Sequence, residues 1–179
     1  HAVLPRLENP IWEQLAADQL AASIIVDGHH LPPAVVKCFY RVKGPERLVL
    51  ISDASPLAGL PPGRYQGFHG EVDLLANGRI QMVGSPYLAG SGMNLLDVVN
   101  HMRDFTGASL HEVAEMASLR PQRLLELSGK TGSLEPGEPA TFTVVEEIDA
   151  KLRPKATVLA GHVVWEVGCP DPQGRVTAS

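Results

Sequence analysis

Two short apolar runs set the frame of the chain. Ala22-Ser-Ile-Ile-Val-Asp27 and Leu48-Val-Leu-Ile-Ser-Asp-Ala54 are apolar almost throughout, and each runs into an aspartate. Short apolar runs bounded by turn residues are the pattern of strands buried on both faces. Between them, Pro32 and Pro33 open a helical pattern to about Val42, with Val35, Val36, Phe39 and Tyr40 on one side. A further helix is predicted over Ile11–Leu20, with Asn9 as its N-cap and Pro10 in its first turn. Helix, strand, helix, strand implies a crossover connection, and therefore a parallel pair. The C-terminal ends of parallel strands lie on one edge, so Asp27, His29, His30 and Asp53 are expected to converge there. A carboxylate at such an edge is where α/β proteins keep their chemistry, and Asp53 is the first catalytic candidate. The alternative for Asp53 is a turn-forming role, for which Asp, Ser and Pro are equally suited.

The pattern then alternates. Tyr65–Leu75 and Arg79–Val83 read as two strands of a hairpin about Asn77-Gly78. Tyr87-Leu-Ala-Gly-Ser91 is a run of small residues that lets backbone approach a ligand closely. Leu95, Val98, Val99, Met102 and Phe105 form the stripe of a helix that Gly107 ends. Ser109-Leu-His-Glu112 is a capping box opening a helix to about Ala117, and Pro121 starts another to about Leu127, closed by Gly129. From Thr131 the character changes to β-branched segments, Thr141–Glu146, Lys155–Leu159 and His162–Glu166, the last two joined by Ala160-Gly161. A few such strands alone are marginal, so they are expected to pair with strands from elsewhere. His101 and His111 fall on helices without a partner at ligand spacing and read as surface histidines.

Composition narrows the classes of function. The 179 residues suffice for one ordinary domain, and 44% hydrophobic residues suffice for a core. A net charge of −5 without a basic run argues against a nucleic-acid surface. The apolar runs are too short to span a bilayer. Cys38 and Cys169 fit no disulfide or metal spacing, which makes a reducing cytoplasm the expected compartment.

Asp27-Gly-His-His30, Ser52-Asp-Ala54, Leu88-Ala-Gly-Ser91 and Gly132-Ser-Leu-Glu-Pro-Gly137 occur in an order and at a spacing that resemble the N-acetylglucosamine-6-phosphate deacetylases. These belong to the metal-dependent amidohydrolase superfamily, and the resemblance extends over Arg6 to Glu166. It implies an α/β fold: the C-terminal part of a TIM (β/α)8 barrel, followed by the C-terminal strands of a small β-sandwich. Residues 1–130 would be barrel, with a β-hairpin insertion at 65–83; residues 131–167 would be sandwich and 168–179 a tail. Asp27 would end barrel strand seven and Asp53 strand eight.

The resemblance also implies roles. Asp53 would take a proton from the attacking water and pass it to the leaving amine. A divalent ion lowers the pKa of its water, and an adjacent carboxylate can accept the proton and return it. His30 would hydrogen-bond the sugar, with Asp27, Gly28 and His29 in the same substrate-binding segment. Leu88, Ala89 and Gly90 would offer backbone to the substrate, and Arg6 would grip its phosphate. The cofactor implied is a divalent metal, zinc or iron. Asp53 is a candidate ligand, while the family's Glu and His ligands fall upstream of this chain; His1 is not read as one of them. The reaction implied is hydrolysis of the N-acetyl amide of N-acetylglucosamine 6-phosphate by the full-length protein, as a cytoplasmic homodimer that needs the N-terminal half of the barrel. The alternatives are a related amidohydrolase acting on another amide, or a truncated non-catalytic domain, and the chain alone is expected to be inactive.

Overall fold

A computed structural model describes residues 4–126 and 134–169. The chain divides into two compact units, residues 1–120 and 121–179, with the break inside a short helix. His1, Leu127, Gly129, Gly132, Ser133 and residues 170–179 of the expected tail lie outside the described residues.

In the first unit, strands β1 (Ala22–Ile25) and β2 (Leu48–Ile51) pair in parallel, with Ala22 opposite Leu48 and Ile25 opposite Ile51. The crossover is helix α2 (Pro33–Lys43), as the apolar pattern required. Leu48, Val49 and Leu50 are all buried, so adjacent positions pointing to opposite faces are both covered. Helices α3 (Leu95–Thr106) and α4 (Leu110–Ala117) pack on β2, and α2 packs on α3. Val98, Val99 and Met102 of α3, and Val113 and Met116 of α4, supply the buried stripes. Both helices begin with a capping box, Asn94 with Asp97 and Ser109 with Glu112, and Gly107 ends α3 in the left-handed region at φ 78°.

The first helix is shorter than its pattern. Helix α1 spans Pro10–Ala16 rather than running to Leu20. The ammonium of Lys43, a buried residue, donates to the carbonyls of Gln14 and Ala17 at 2.5 and 2.8 Å. These include a carbonyl that a longer helix would have used internally, and a cation is favoured at a helix C-terminus. A tertiary contact therefore sets where α1 stops.

Residues 65–83 do not form a single hairpin. They belong to a four-stranded antiparallel sheet in the order β3 (Gly63–Gly67), β4 (Gly70–Leu74), β5 (Arg79–Met82), β6 (Leu88–Ser91). The stretch read as one strand reverses at Phe68-His69, between Gly67 and Gly70. The small-residue segment Leu88–Ser91 is itself a strand, paired with β5. Val72, Leu74 and Ile80 form the core of this sheet, with Leu57, Tyr65, Met82 and Ala89 against it.

In the second unit, β7 (Phe142–Ile148), β8 (Lys151–Leu159) and β9 (His162–Glu166) form an antiparallel meander. Both tight turns, Asp149-Ala150 and Ala160-Gly161, have two consecutive residues at positive φ, the arrangement that matches strand twist in two-residue hairpins. Among the described residues no helix is long and apolar enough to cross a membrane.

Candidate active site

The loop after β1 is built around Asp27. Its side chain is 1% exposed. One oxygen, Oδ1, accepts the backbone N–H groups of His29 and His30 at 2.9 and 2.8 Å. The other, Oδ2, lies 2.8 Å from Nδ1 of His30. Burial pushes the Asp27 carboxyl up, but the bonds from His30 and His29 outweigh it and hold the group below its ordinary range. Gly28 turns the chain at φ 79°, a conformation that favours glycine.

Helix α3 braces the same loop. Nδ1 of His101 lies 3.1 Å from the carbonyl of Val26, and its ring stacks on Phe105 at 5.2 Å between centroids. His101 is therefore a half-buried prop rather than the surface histidine expected from its spacing. Its partner is a main-chain carbonyl, which no side-chain spacing discloses. His111 is exposed, with Glu115 at 3.8 Å.

Asp53 follows β2 with φ 52°, a left-handed conformation that an Asp tolerates better than most residues. Its side chain is 48% exposed, and Nε2 of His30 stands 3.8 Å from its Oδ2. The parallel pair thus brings His30 and Asp53 together at one edge, with Asp27 beneath the imidazole. Strand β6 is laced to the same loop: Ser91 N–H donates to the carbonyl of Asp53 at 2.9 Å, and Ser55 N–H donates to the carbonyl of Ser91 at 2.8 Å. A Cβ on Gly90 would sit 3.3 Å from the Asp53 carbonyl and 3.3 Å from Cβ of Ser55. Leu88, Ala89 and Gly90 are thereby drawn alongside Asp53.

Two other candidates are placed differently. His29 turns to the four-stranded sheet, where its Nε2 lies 3.0 Å from the carbonyl of Asn77. Arg6 is exposed in the loop before α1, and its carbonyl accepts from the Trp12 indole at 2.9 Å. Among the described residues no hydrogen bond or ion pair joins its guanidinium to the other candidates.

A cavity of about 470 Å³ adjoins the Asp53 loop, lined by residues including Ser55, Leu57, Phe68, His69, Ala89 and Gly90. Phe68 is 91% exposed at the β3–β4 turn. Sequence reading passed over Phe68 and His69; the glycines on either side of them were the available signal.

The arrangement suits part of a metal centre. Asp53 offers an exposed oxygen donor of the kind a divalent ion takes. Among the described residues, however, no group of three or more His, Cys, Asp or Glu side chains could hold an ion.

The sequence model of the amidohydrolase family matches residues 70–164. An N-acetylgalactosamine-6-phosphate deacetylase of Escherichia coli O157:H7 is 40% identical over 69% of this chain, which covers 32% of that protein. An N-acetylglucosamine-6-phosphate deacetylase of Bos taurus is 36% identical over 86% of the chain and 38% of its own length. The crystal structure of an N-acetylglucosamine-6-phosphate deacetylase from Thermotoga maritima superposes with a TM-score of 0.76 at 29% identity, over 86% of this chain and 41% of that one. The chain thus spans between about a third and two fifths of the length of these relatives.

Proposed function

We propose that this chain, which belongs to the amidohydrolase family, is the part of a deacetylase that carries its general base. The reaction is hydrolysis of the N-acetyl amide of N-acetylglucosamine 6-phosphate to acetate and glucosamine 6-phosphate. The observation that carries this reading is Asp53: an exposed carboxylate in a left-handed conformation at the end of a parallel strand, 3.8 Å from His30. Non-glycine residues held in that conformation gather at functional sites. The deacetylase relatives support the choice of amide. In this reading β1 and β2 are strands seven and eight of a TIM barrel, and β7–β9 are the C-terminal share of a sandwich.

Amidohydrolases are generally metal-dependent, and a bound divalent ion supplies an activated water and polarises the amide carbonyl. Asp53 accepts the proton that the attacking water loses, at Oδ2, and returns it to the nitrogen of the departing amine. His30 hydrogen-bonds a sugar hydroxyl through Nε2, the ring nitrogen that Asp27 leaves unengaged. The backbone of Leu88–Gly90 lies along the bound sugar, and Arg6 pairs with the phosphate. The full-length protein works in the cytoplasm as a homodimer, with zinc or iron bound.

A second reading keeps the chemistry and changes the sugar to N-acetylgalactosamine 6-phosphate. It is favoured by the 40% identity to a deacetylase of that name, against 36% for the Bos taurus N-acetylglucosamine enzyme. Acetate release by the full-length protein from each sugar phosphate separates the two. Faster turnover of the gluco substrate supports the first reading, faster turnover of the galacto substrate supports the second, and no release from either overturns both.

A further inference from the structure

We propose that Asp27 is a positioning residue that fixes the tautomer of His30, so that His30 presents an acceptor nitrogen, Nε2, toward Asp53 and the substrate. The tautomer follows from hydrogen-bond bookkeeping. An ionised carboxylate only accepts. Its Oδ1 is taken by two backbone donors, at 2.9 and 2.8 Å, and its Oδ2 faces Nδ1 of His30 at 2.8 Å. Nδ1 must therefore carry the proton. In the neutral ring Nε2 is left with its lone pair, on the side where Oδ2 of Asp53 stands 3.8 Å away. A lone pair there accepts from a sugar hydroxyl, or from Asp53 while Asp53 holds a proton. An N–H at that point would instead donate, to the ionised Asp53 carboxylate or to a sugar oxygen. The second half of this inference rests on the deacetylase reading; the tautomer itself does not.

The isosteric change Asp27→Asn makes the assignment testable. The backbone N–H groups of His29 and His30 can only donate, so the amide oxygen must stay where Oδ1 is. That puts the amide NH2 against Nδ1 of His30, which must then accept, and the ring proton moves to Nε2. The loop keeps both of its backbone bonds while the imidazole presents the opposite face of its chemistry. A buried carboxylate that holds an imidazole in its working tautomer is a known source of large rate effects when changed to an amide.

The test uses the full-length protein with its histidine rings labelled with nitrogen-15, and His30→Gln to identify the His30 signals. Nitrogen spectra at neutral pH are expected to show His30 protonated at Nδ1 alone in the wild type and at Nε2 alone in Asp27→Asn. The variant's kcat should fall by about a hundredfold, with its thermal midpoint close to wild type. A wild-type ring protonated at Nε2 alone, or on both nitrogens, overturns the proposal, even if the variant fails to fold. So does a variant that keeps the wild-type tautomer, or one that flips it and still turns over at the wild-type rate. The spectra need no substrate. A wild type with the expected tautomer that hydrolyses neither sugar phosphate would sink the deacetylase reading and leave the tautomer standing.

Discussion

At the scale of single residues, the centre depends on a few backbone conformations as much as on side chains. Gly90 sits at φ 85°, and a Cβ there would crowd the Asp53 carbonyl and Ser55 at 3.3 Å. Gly90→Ala combines a strained backbone with a contact that only a shift of the Asp53 loop relieves. We expect a loss of about 1–2 kcal/mol in stability and reduced turnover, measured by denaturant unfolding and acetate release in the full-length protein. Wild-type values for both would show that the loop yields freely. The pairing of His30 with Asp53 was legible in the sequence, because two apolar runs ending in polar residues and joined by a helix must share an edge. The separation of His29 from that pair was not legible. His29 and His30 are adjacent and chemically identical; only the turn that Asp27 caps, and the Asn77 carbonyl contributed by the β4–β5 hairpin, send their rings to different partners.

At the scale of elements, helices α2, α3 and α4 were read well because their signals are local. The capping box of α4 lies within four consecutive residues, and it also ties to α2: Glu112 accepts from Ser109 and from the Tyr40 hydroxyl at 3.0 Å. These bonds hold the Glu112 carboxyl below its ordinary range, the Ser109 hydroxyl contributing most. A carboxyl whose folded pKa is depressed adds stability above its unfolded pKa, and that stability is lost as the pH falls through the folded value. Ser109→Ala should cost about 1 kcal/mol at neutral pH, a fall of about 2–4 °C in Tm for a chain of this size. The gap from wild type should narrow in acid as Glu112 protonates in both proteins; a gap that is constant from neutral to acid pH would contradict the box as the cause. The readings that failed depended on distant contacts. Helix α1 continues in pattern to Leu20 but is stopped by Lys43, and the stretch 65–83 turns at Phe68-His69, a pair with no turn preference of its own between two glycines.

At the scale of the whole molecule, the chain brings Asp53 and His30 within 3.8 Å but, among its described residues, has no group of three or more His, Cys, Asp or Glu side chains that could hold a metal ion. The 179-residue chain is therefore expected to show no deacetylase activity and no stoichiometric zinc or iron, and the full-length protein of the proposed reading is expected to show both. Chelation should abolish the full-length activity and added divalent metal restore it; activity that survives complete metal removal would contradict the metal-dependent mechanism. The barrel and the sandwich could not have been derived from periodicity alone. One parallel pair and one three-stranded meander fit several α/β architectures, and the likeness to longer relatives supports the barrel and sandwich of the proposed reading. The measurement that bears most directly on the whole account is acetate release by full-length Asp53→Asn. Asparagine keeps the shape of the side chain and tolerates the left-handed backbone at φ 52°, so the fold should be unchanged while kcat falls by at least about a hundredfold. Turnover at the wild-type rate, with fold and metal retained, would remove Asp53 from the chemistry and the proposed mechanism with it.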